Sequence, residues 1–486
     1  MEILRACPFL LAAAALLASV GRSAEEAGPT GLPSASFPGI SAAKRGPSPA
    51  PAAGRMRLSM KDAVTGALET AQRIGEARAA YERSDAAVLQ AFSGALPSLS
   101  ANASFTRTRG PFFGGAFAGA ATGTTGSTGA LSAGGSQYTN FYDANLQLTQ
   151  PLFTGGAVYY GVKSARRLRA AALEDARTAR QTTIFNARQD YYNAVLTAKV
   201  QAVVQSSYDL ARLHYEDVRE RMEAGVATKY DVLTAKVAMQ NQKSQLIGAE
   251  NNARLAMAAL LREAGLPLDA RVELVDGFEE PGPATAVGQT VEGALATALK
   301  CRPELASAEL GTEAQRNAVG AARAGYFPAV SANASIGGFA LADPFRDGNF
   351  IDTRSVGAQL QWNIFDGALT RARVAEARAG LVQSQWQEQG LRRDVELQVR
   401  QAVLNLQSAI NFVASQGGNV EEAREALRMA EARQKAGAGT ELDVQDARNA
   451  LEQAELNYVQ SLSQYANAKL ALEQATGTLE PPPGKP

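Results

Sequence analysis

The sequence predicts a mainly α fold with β, in which a chain of 486 residues is built twice over from long antiparallel coiled-coil helices and paired strands. Three observations predict it. The chain repeats itself, each copy holds two stretches that alternate apolar and polar side chains, and most of the remainder reads as long helix without proline.

The repeat is visible without gaps. "PSLSANAS" ending at Ser104 matches "PAVSANAS" ending at Ser335, a shift of 231 residues that also lays "AVTGAL" from Ala63 on "ALATAL" from Ala294. Further on, "QLTQPLFTGG" from Gln147 matches "QLQWNIFDGA" from Gln359 at a shift of 212. That second shift carries Arg188 to Arg400, Asn193 to Asn405, and "AGVATKYDV" from Ala224 to "AGAGTELDV" from Ala436. The first copy therefore holds 19 extra residues between Ser104 and Gln147, in a glycine-rich and small-polar interval that suits a long flexible loop.

Strands flank that loop. Leu99, Ala101, Ala103 and Phe105 alternate with Ser100, Asn102 and Ser104, and Tyr142, Ala144, Leu146 and Leu148 alternate with Asp143, Asn145 and Gln147. The second copy repeats the pattern with Val330, Ala332, Ala334 and Ile336, then with Val356, Ala358, Leu360, Trp362 and Ile364. The period of two predicts four strands in two hairpins, over 96–153 and 327–365. Such a pattern fits a half-buried soluble sheet or a transmembrane barrel. The barrel is favoured because no apolar segment offers the sheet a partner layer. Four strands do not close a barrel, which needs about eight, so the chain would oligomerise.

Between Gly156 and Glu223, small or apolar residues recur at three and four, for example Leu168, Ala172, Ala176 and Ala179. A helix of that length is a rod of about 100 Å. A second one runs from about Gly367 to Gln434, and shorter helices are expected before each hairpin, over 58–95 and 290–326, and after each turn, to Ala264 and Thr476. Two half-length pieces laid end to end would match one rod, with the strands at one end and both turns at the other.

The organisation expected is therefore a signal peptide (1–24), a disordered Pro/Ala-rich segment (25–57), a first repeat (58–275), a linker (276–289), a second repeat (290–476) and a disordered tail (477–486). The export reading rests on "FLLAAAALLASV" followed by small residues, an apolar stretch shorter than the roughly 18 to 20 residues of an anchor. Cys7 precedes that stretch and is not placed for lipidation; Cys301 then remains alone, so no internal disulfide is expected. Charges balance at 48 Lys+Arg and 48 Asp+Glu, which disfavours nucleic acid as a partner. With one histidine, His214, read as a surface or packing residue of a long helix, neither a metal cluster nor a catalytic base is expected. No P-loop, dinucleotide fingerprint or HExxH occurs, so the chain is read as no enzyme, without catalytic residues or cofactor.

Taken together, the duplication, two strands per half, long helices, the "LF-x-GG" and "IF-x-GA" junctions at Phe153 and Phe365 and the paired "G-x-x-T-x-x-D-V" turns resemble the TolC-like outer-membrane efflux proteins over about residues 58–476. The resemblance implies helices that form an α-barrel tunnel in the periplasm and four strands per protomer contributed to a trimeric twelve-stranded transmembrane β-barrel. It also implies a homotrimer set in outer-membrane lipid, docked on a periplasmic adaptor (membrane fusion) protein and an inner-membrane RND or ABC-type transporter, for efflux or type I secretion. A non-pore periplasmic or surface coiled-coil protein, or an adhesin displaying the Gly-rich loop, is the alternative.

Site residues follow from the turns at 224–228 and 436–440. The family narrows its periplasmic end with aspartates, which by motif position puts a pore gate at Asp443 and Asp446, with Asp231 as the first-copy equivalent of Asp443. Gly225, Thr228 and Val232, with Gly437, Thr440 and Val444, are expected to build the tip turns and to dock the adaptor. Capping explains part of this pattern, because Thr228 with Asp231 and Thr440 with Asp443 have the spacing of a capping box, whereas Asp446 has Thr234 as its counterpart. An arginine that latches the closed state in family members has Gly439 at its place here.

Overall fold

The computed structural model describes residues 56–110, 137–282, 290–340, 350–436 and 438–480. The expected signal peptide, the Pro/Ala-rich segment up to residue 55, the Gly-rich loop at 111–136, the end of the linker at 283–289, Gly437 and the tail from 481 lie outside the described residues. In chain order the elements are β1 (Met56–Leu58), α1 (Met60–Thr70), α2 (Gln72–Ser93), β2 (Ser98–Gly110), β3 (Gln137–Phe153), α3 (Ala157–Glu223) and α4 (Lys229–Glu263). There follow β4 (Val272–Leu274), α5 (Val291–Cys301), α6 (Pro303–Arg323), a 3-10 turn (Ala324–Tyr326), β5 (Ala329–Ala340), β6 (Ile351–Gln361), α7 (Leu369–Lys435) and α8 (Glu441–Thr476).

These elements fall into two units, one of strands (Phe92–Val158 and Arg323–Ala368) and one of helices. In the strand unit a four-stranded antiparallel sheet runs in the order β2-β3-β5-β6. The register sets Leu99 opposite Leu148, Leu148 opposite Ala334 and Ala334 opposite Val356, an apolar row from edge to edge on one face; the next row, Leu146 and Ile336, ends on Arg354 of β6. Ser100 opposite Gln147, and Ser335 opposite Ser355 with their hydroxyls 2.8 Å apart, make the other face polar. The two hairpins are stitched by β3 and β5, with a bulge between Pro151 and Phe153 where proline offers no N–H to the ladder. Strand β6 stops at Gln361, earlier than the alternation suggests; Trp362 leaves the ladder and its Nε1–H donates to the Tyr326 carbonyl at 3.2 Å. Each strand-to-helix junction is a left-handed pair, Gly155 and Gly156 in one copy, Gly367 and Ala368 (φ 71°) in the other.

In the helical unit α3 and α7 are 67 residues each, rods of about 100 Å. Helix α4 returns along α3, with Leu246 and Ala249 against Val204 and Leu260 beside Tyr191. Helix α8 returns along α7 in the same antiparallel sense, joined by Arg424–Glu455 and Arg448–Glu431, both at 3.5 Å. Tyr191, fully buried, anchors the first copy: its hydroxyl donates to the Leu58 carbonyl at 3.2 Å and accepts the Asp276 N–H at 3.0 Å. Val403 stands at the equivalent place, buried among Val395, Val399, Leu406, Leu462 and Leu472.

The short helices differ from expectation in one respect. Residues 58–95 are not one helix, since α1 ends at Ala71 in extended backbone (ψ 121°), and α5 ends in the same way at Arg302 (ψ 117°). Pro303 drives the second break, because a residue before proline is pushed out of the α region. Ala71 takes the same conformation at the equivalent position without a proline. Leu58 belongs instead to β1, which pairs in parallel with β4 through three residues of each strand. The beginning of the expected tail is also packed: Leu479 is buried beside Ile184 and Leu470, and Glu480 meets Arg180 at 2.7 Å.

Candidate functional site

The two tip turns are built alike. Helix α3 ends in a closure where the Gly225 N–H reaches the Met222 carbonyl at 2.9 Å and the Val226 N–H reaches Arg221 at 2.8 Å; Gly225 holds the left-handed φ of 77° that this closure needs. In the second copy the Ala438 N–H reaches Arg433 at 2.9 Å, the equivalent bond, around Gly437, which lies outside the described residues.

Both following helices start in a capping box. The Thr228 N–H donates to Asp231 Oδ2 at 2.8 Å, and the Asp231 N–H returns to Thr228 Oγ1 at 3.2 Å. Thr440 and Asp443 repeat the pair at the same 2.8 and 3.2 Å. The bonds from the Thr228 hydroxyl and N–H hold the Asp231 carboxyl below its usual range, and those of the Thr440 N–H and hydroxyl do the same for Asp443. Both aspartates are therefore engaged in ending orphan N–H groups at a helix start.

Asp446 differs. It lies one turn after Asp443 on α8, is exposed, and has neither hydrogen bond nor ion pair among the described residues. Its counterpart Thr234 donates instead to the Tyr230 carbonyl at 3.0 Å. Val444 is 1% exposed and pins the start of α8, while Val232 at the equivalent place is half-buried.

Two features of the tips escaped the sequence reading. The first turn and the start of α4 expose Val226 (79%) and Tyr230 (75%), and α8 exposes Leu442 (67%). These apolar side chains stand off the packed seam and cover no core. The other feature is His214 on α3, whose Nε2 lies 2.8 Å from Glu441 Oε1 at the first residue of α8; its side chain is 13% exposed. Burial lowers its pKa from the ordinary 6.5 despite the nearby Glu441 carboxylate.

No group of His, Cys, Asp or Glu suited to a metal occurs among the described residues, and no described helix is long and apolar enough to cross a membrane. Cys301 is a free thiol.

Residues 64–266 and 294–478 match the family model of the outer membrane efflux protein, one match per structural copy. The chain is 24% identical over 336 residues to the outer membrane efflux protein BepC of Brucella suis, covering 69% of this chain and 72% of that protein. It is 25% identical over 358 residues to the outer membrane protein TolC of Escherichia coli, covering 70% of each. Among solved structures, the CmeC outer membrane channel of Campylobacter jejuni superposes with a TM-score of 0.72 at 18% identity, covering 86% of this chain and 85% of that one. The chain thus belongs to the outer membrane efflux protein family, whose members are channels of the outer membrane rather than enzymes.

Proposed function

We propose that the protein works as a homotrimeric outer-membrane channel of a tripartite efflux or type I secretion system. The observation that carries this reading is the sheet of the strand unit. One face carries an apolar row from β2 to β6, the other is polar there, and both edges, β2 and β6, run for 13 and 11 residues with no neighbouring strand among the described residues. Exposed edges of that length are an association surface, and a transmembrane barrel has none. Three copies joined edge to edge give twelve strands, with the face of Leu99, Leu148, Ile336 and Val356 toward lipid and that of Ser100, Gln147 and Ser335 toward water.

In this reading α3, α4, α7 and α8 form the periplasmic tunnel. Asp446, together with Asp443, narrows its end, with Asp231 confined to the outer turn as a cap. The adaptor docks on the tips through Val226, Tyr230 and Leu442 around Gly225, Thr228, Val232, Thr440 and Val444, and an inner-membrane RND or ABC-type transporter supplies the energy. Exposed apolar side chains that cover no core support a docking role. Outer-membrane fractionation, heat-modifiable migration as a trimer and conductance in planar bilayers test the reading. A mature protein found as a soluble monomer would overturn it.

A further inference from the structure

A guanidinium stands on the apolar face of the sheet. In β6 the alternation that puts Val356, Ala358 and Leu360 on this face also puts Arg354 there, with Asp352 two residues nearer the segment 341–349. Arg354 is exposed and makes neither hydrogen bond nor ion pair among the described residues, so Asp352 is not its partner. One end of each strand continues into the helical unit, and the other leads to 111–136 or 341–349. With the helices in the periplasm, the second set of ends faces outward. Arg354 then lies three residues inside the outer end of β6, about 10 Å along the strand.

The repeat shows what occupies this depth in the other copy. Arg354 faces Ile336 across the ladder, and at the shifts of 212 and 231 residues this pair falls on Tyr142 and Phe105. Those two also face one another, with ring centroids 4.8 Å apart. Aromatic side chains girdle a transmembrane barrel where hydrocarbon gives way to headgroups. The second hairpin thus carries a guanidinium at an interfacial level, where its stem lies in hydrocarbon and its head reaches polar groups.

Below that head the face is grooved. Ala334 stands between Leu148 and Val356 in its row, and with Leu99, Leu146 and Ile336 these side chains line a shallow groove of about 440 Å³ that ends on Arg354. Leu99 and Val356 are 61% and 90% exposed, apolar surface that covers no core. An apolar groove closed by a planar cation suits an acyl chain joined to a phosphate, because arginine offers paired N–H donors in the geometry of phosphate oxygens. Asp352 disfavours an anion farther out and so confines it to the groove side of the guanidinium.

We propose that this groove holds a phosphorylated lipid of the outer leaflet, one per chain, with an acyl chain over Ala334 and the phosphate on Arg354. The inference rests on the channel reading of the preceding subsection, which turns this face toward lipid.

The test titrates the full-length protein in detergent with bisphosphorylated lipid A and counts bound lipid by native mass spectrometry. The parent holds one lipid per chain. Dephosphorylated lipid A binds at least about tenfold more weakly, and Arg354→Gln loses the same factor, the scale of one hydrogen bond to a charged group. Arg354→Lys, which keeps the charge without the fork, falls between. Ala334→Phe fills the groove and weakens binding with the cation in place. Equal binding by parent and Arg354→Gln, or of phosphorylated and dephosphorylated lipid, overturns the proposal and leaves Arg354 an interfacial anchor. Release of bound lipid A by millimolar inorganic phosphate also overturns it, since the groove then adds nothing to a bare anion site. A parent that fractionates away from the outer membrane as a soluble monomer overturns the channel reading instead, and the detergent titration still decides whether the groove binds lipid.

Discussion

Thr440 and Asp443 satisfy one another at the second tip: the Thr440 N–H lies 2.8 Å from Asp443 Oδ2, and the Asp443 N–H lies 3.2 Å from Thr440 Oγ1. Thr440→Ala removes one half of this box and costs about 1 kcal/mol of helix-start stability. Faster amide hydrogen exchange at residues 441–444, with exchange in the middle of α8 unchanged, is the expected result.

The same bonds fix a pH dependence. The Asp231 and Asp443 carboxyls titrate below their ordinary 3.8 because Thr228 and Thr440 donate to the charged form. A carboxyl whose pKa is depressed in the folded state stabilises it above the unfolded value, and that contribution is lost as pH falls through the folded one. Protection from exchange at both tips, taken relative to the intrinsic amide rate at each pH, should therefore be flat above about pH 5, an interval of roughly one unit above the free carboxyl value, and should fall on further acidification. Thr228→Ala and Thr440→Ala should each flatten the fall at its own tip.

His214 titrates in a different window. Burial places its pKa below 6.5, outweighing the attraction of Glu441, so the folded tip prefers the neutral imidazole. The stability this gives is intact above 6.5 and falls as the pH drops below it. The imidazole carbon and nitrogen shifts of isotope-labelled protein should show a midpoint under 6.5, moving toward that value in denaturant.

Asp446→Ala tests the gate. In the proposed channel Asp446, the one of the three aspartates not engaged in a cap, carries the gate more than Asp443 does, and its loss should raise the resting cation conductance of the trimer. Thr234→Asp, which puts a charge at the equivalent place in the first copy, should leave conductance at the parent level if only the second tip lines the axis.

Tyr191→Phe tests the core of the first repeat. The hydroxyl holds the Leu58 carbonyl and the Asp276 N–H in a fully buried site; its removal strands the Asp276 N–H, while the Leu58 carbonyl keeps the Val275 N–H at 3.1 Å. The cost should be about 1–3 kcal/mol, read as a lower midpoint of thermal unfolding.

Much of this molecule is written in local pattern. The strand faces of Leu99 and Ser100 or of Ala334 and Ser335 follow from a period of two, and the rods follow from small residues at three and four in the absence of proline. The capping boxes were legible because Thr and Asp three apart have a mechanism, and the structure has both bonds of each box. What was not legible depends on distance in sequence. β1 and β4 have three residues each, too few for any period, and they pair across more than 200 residues of chain. The helix break at Ala71 has no proline to announce it, and is visible only by analogy with Arg302 before Pro303. His214 meets Glu441 because two rods align in depth, which no local spacing encodes. Tyr230 and Leu442 look like seam residues by composition, and only the packing leaves them outside.

The most direct test of the central claim is single-channel recording of the purified, outer-membrane-extracted protein in planar bilayers. A trimeric channel should give small, cation-selective resting steps that enlarge in Asp446→Ala, from a species that migrates as a trimer until heated. A protein that fractionates away from the outer membrane, stays monomeric and gives no conductance in either form would contradict it.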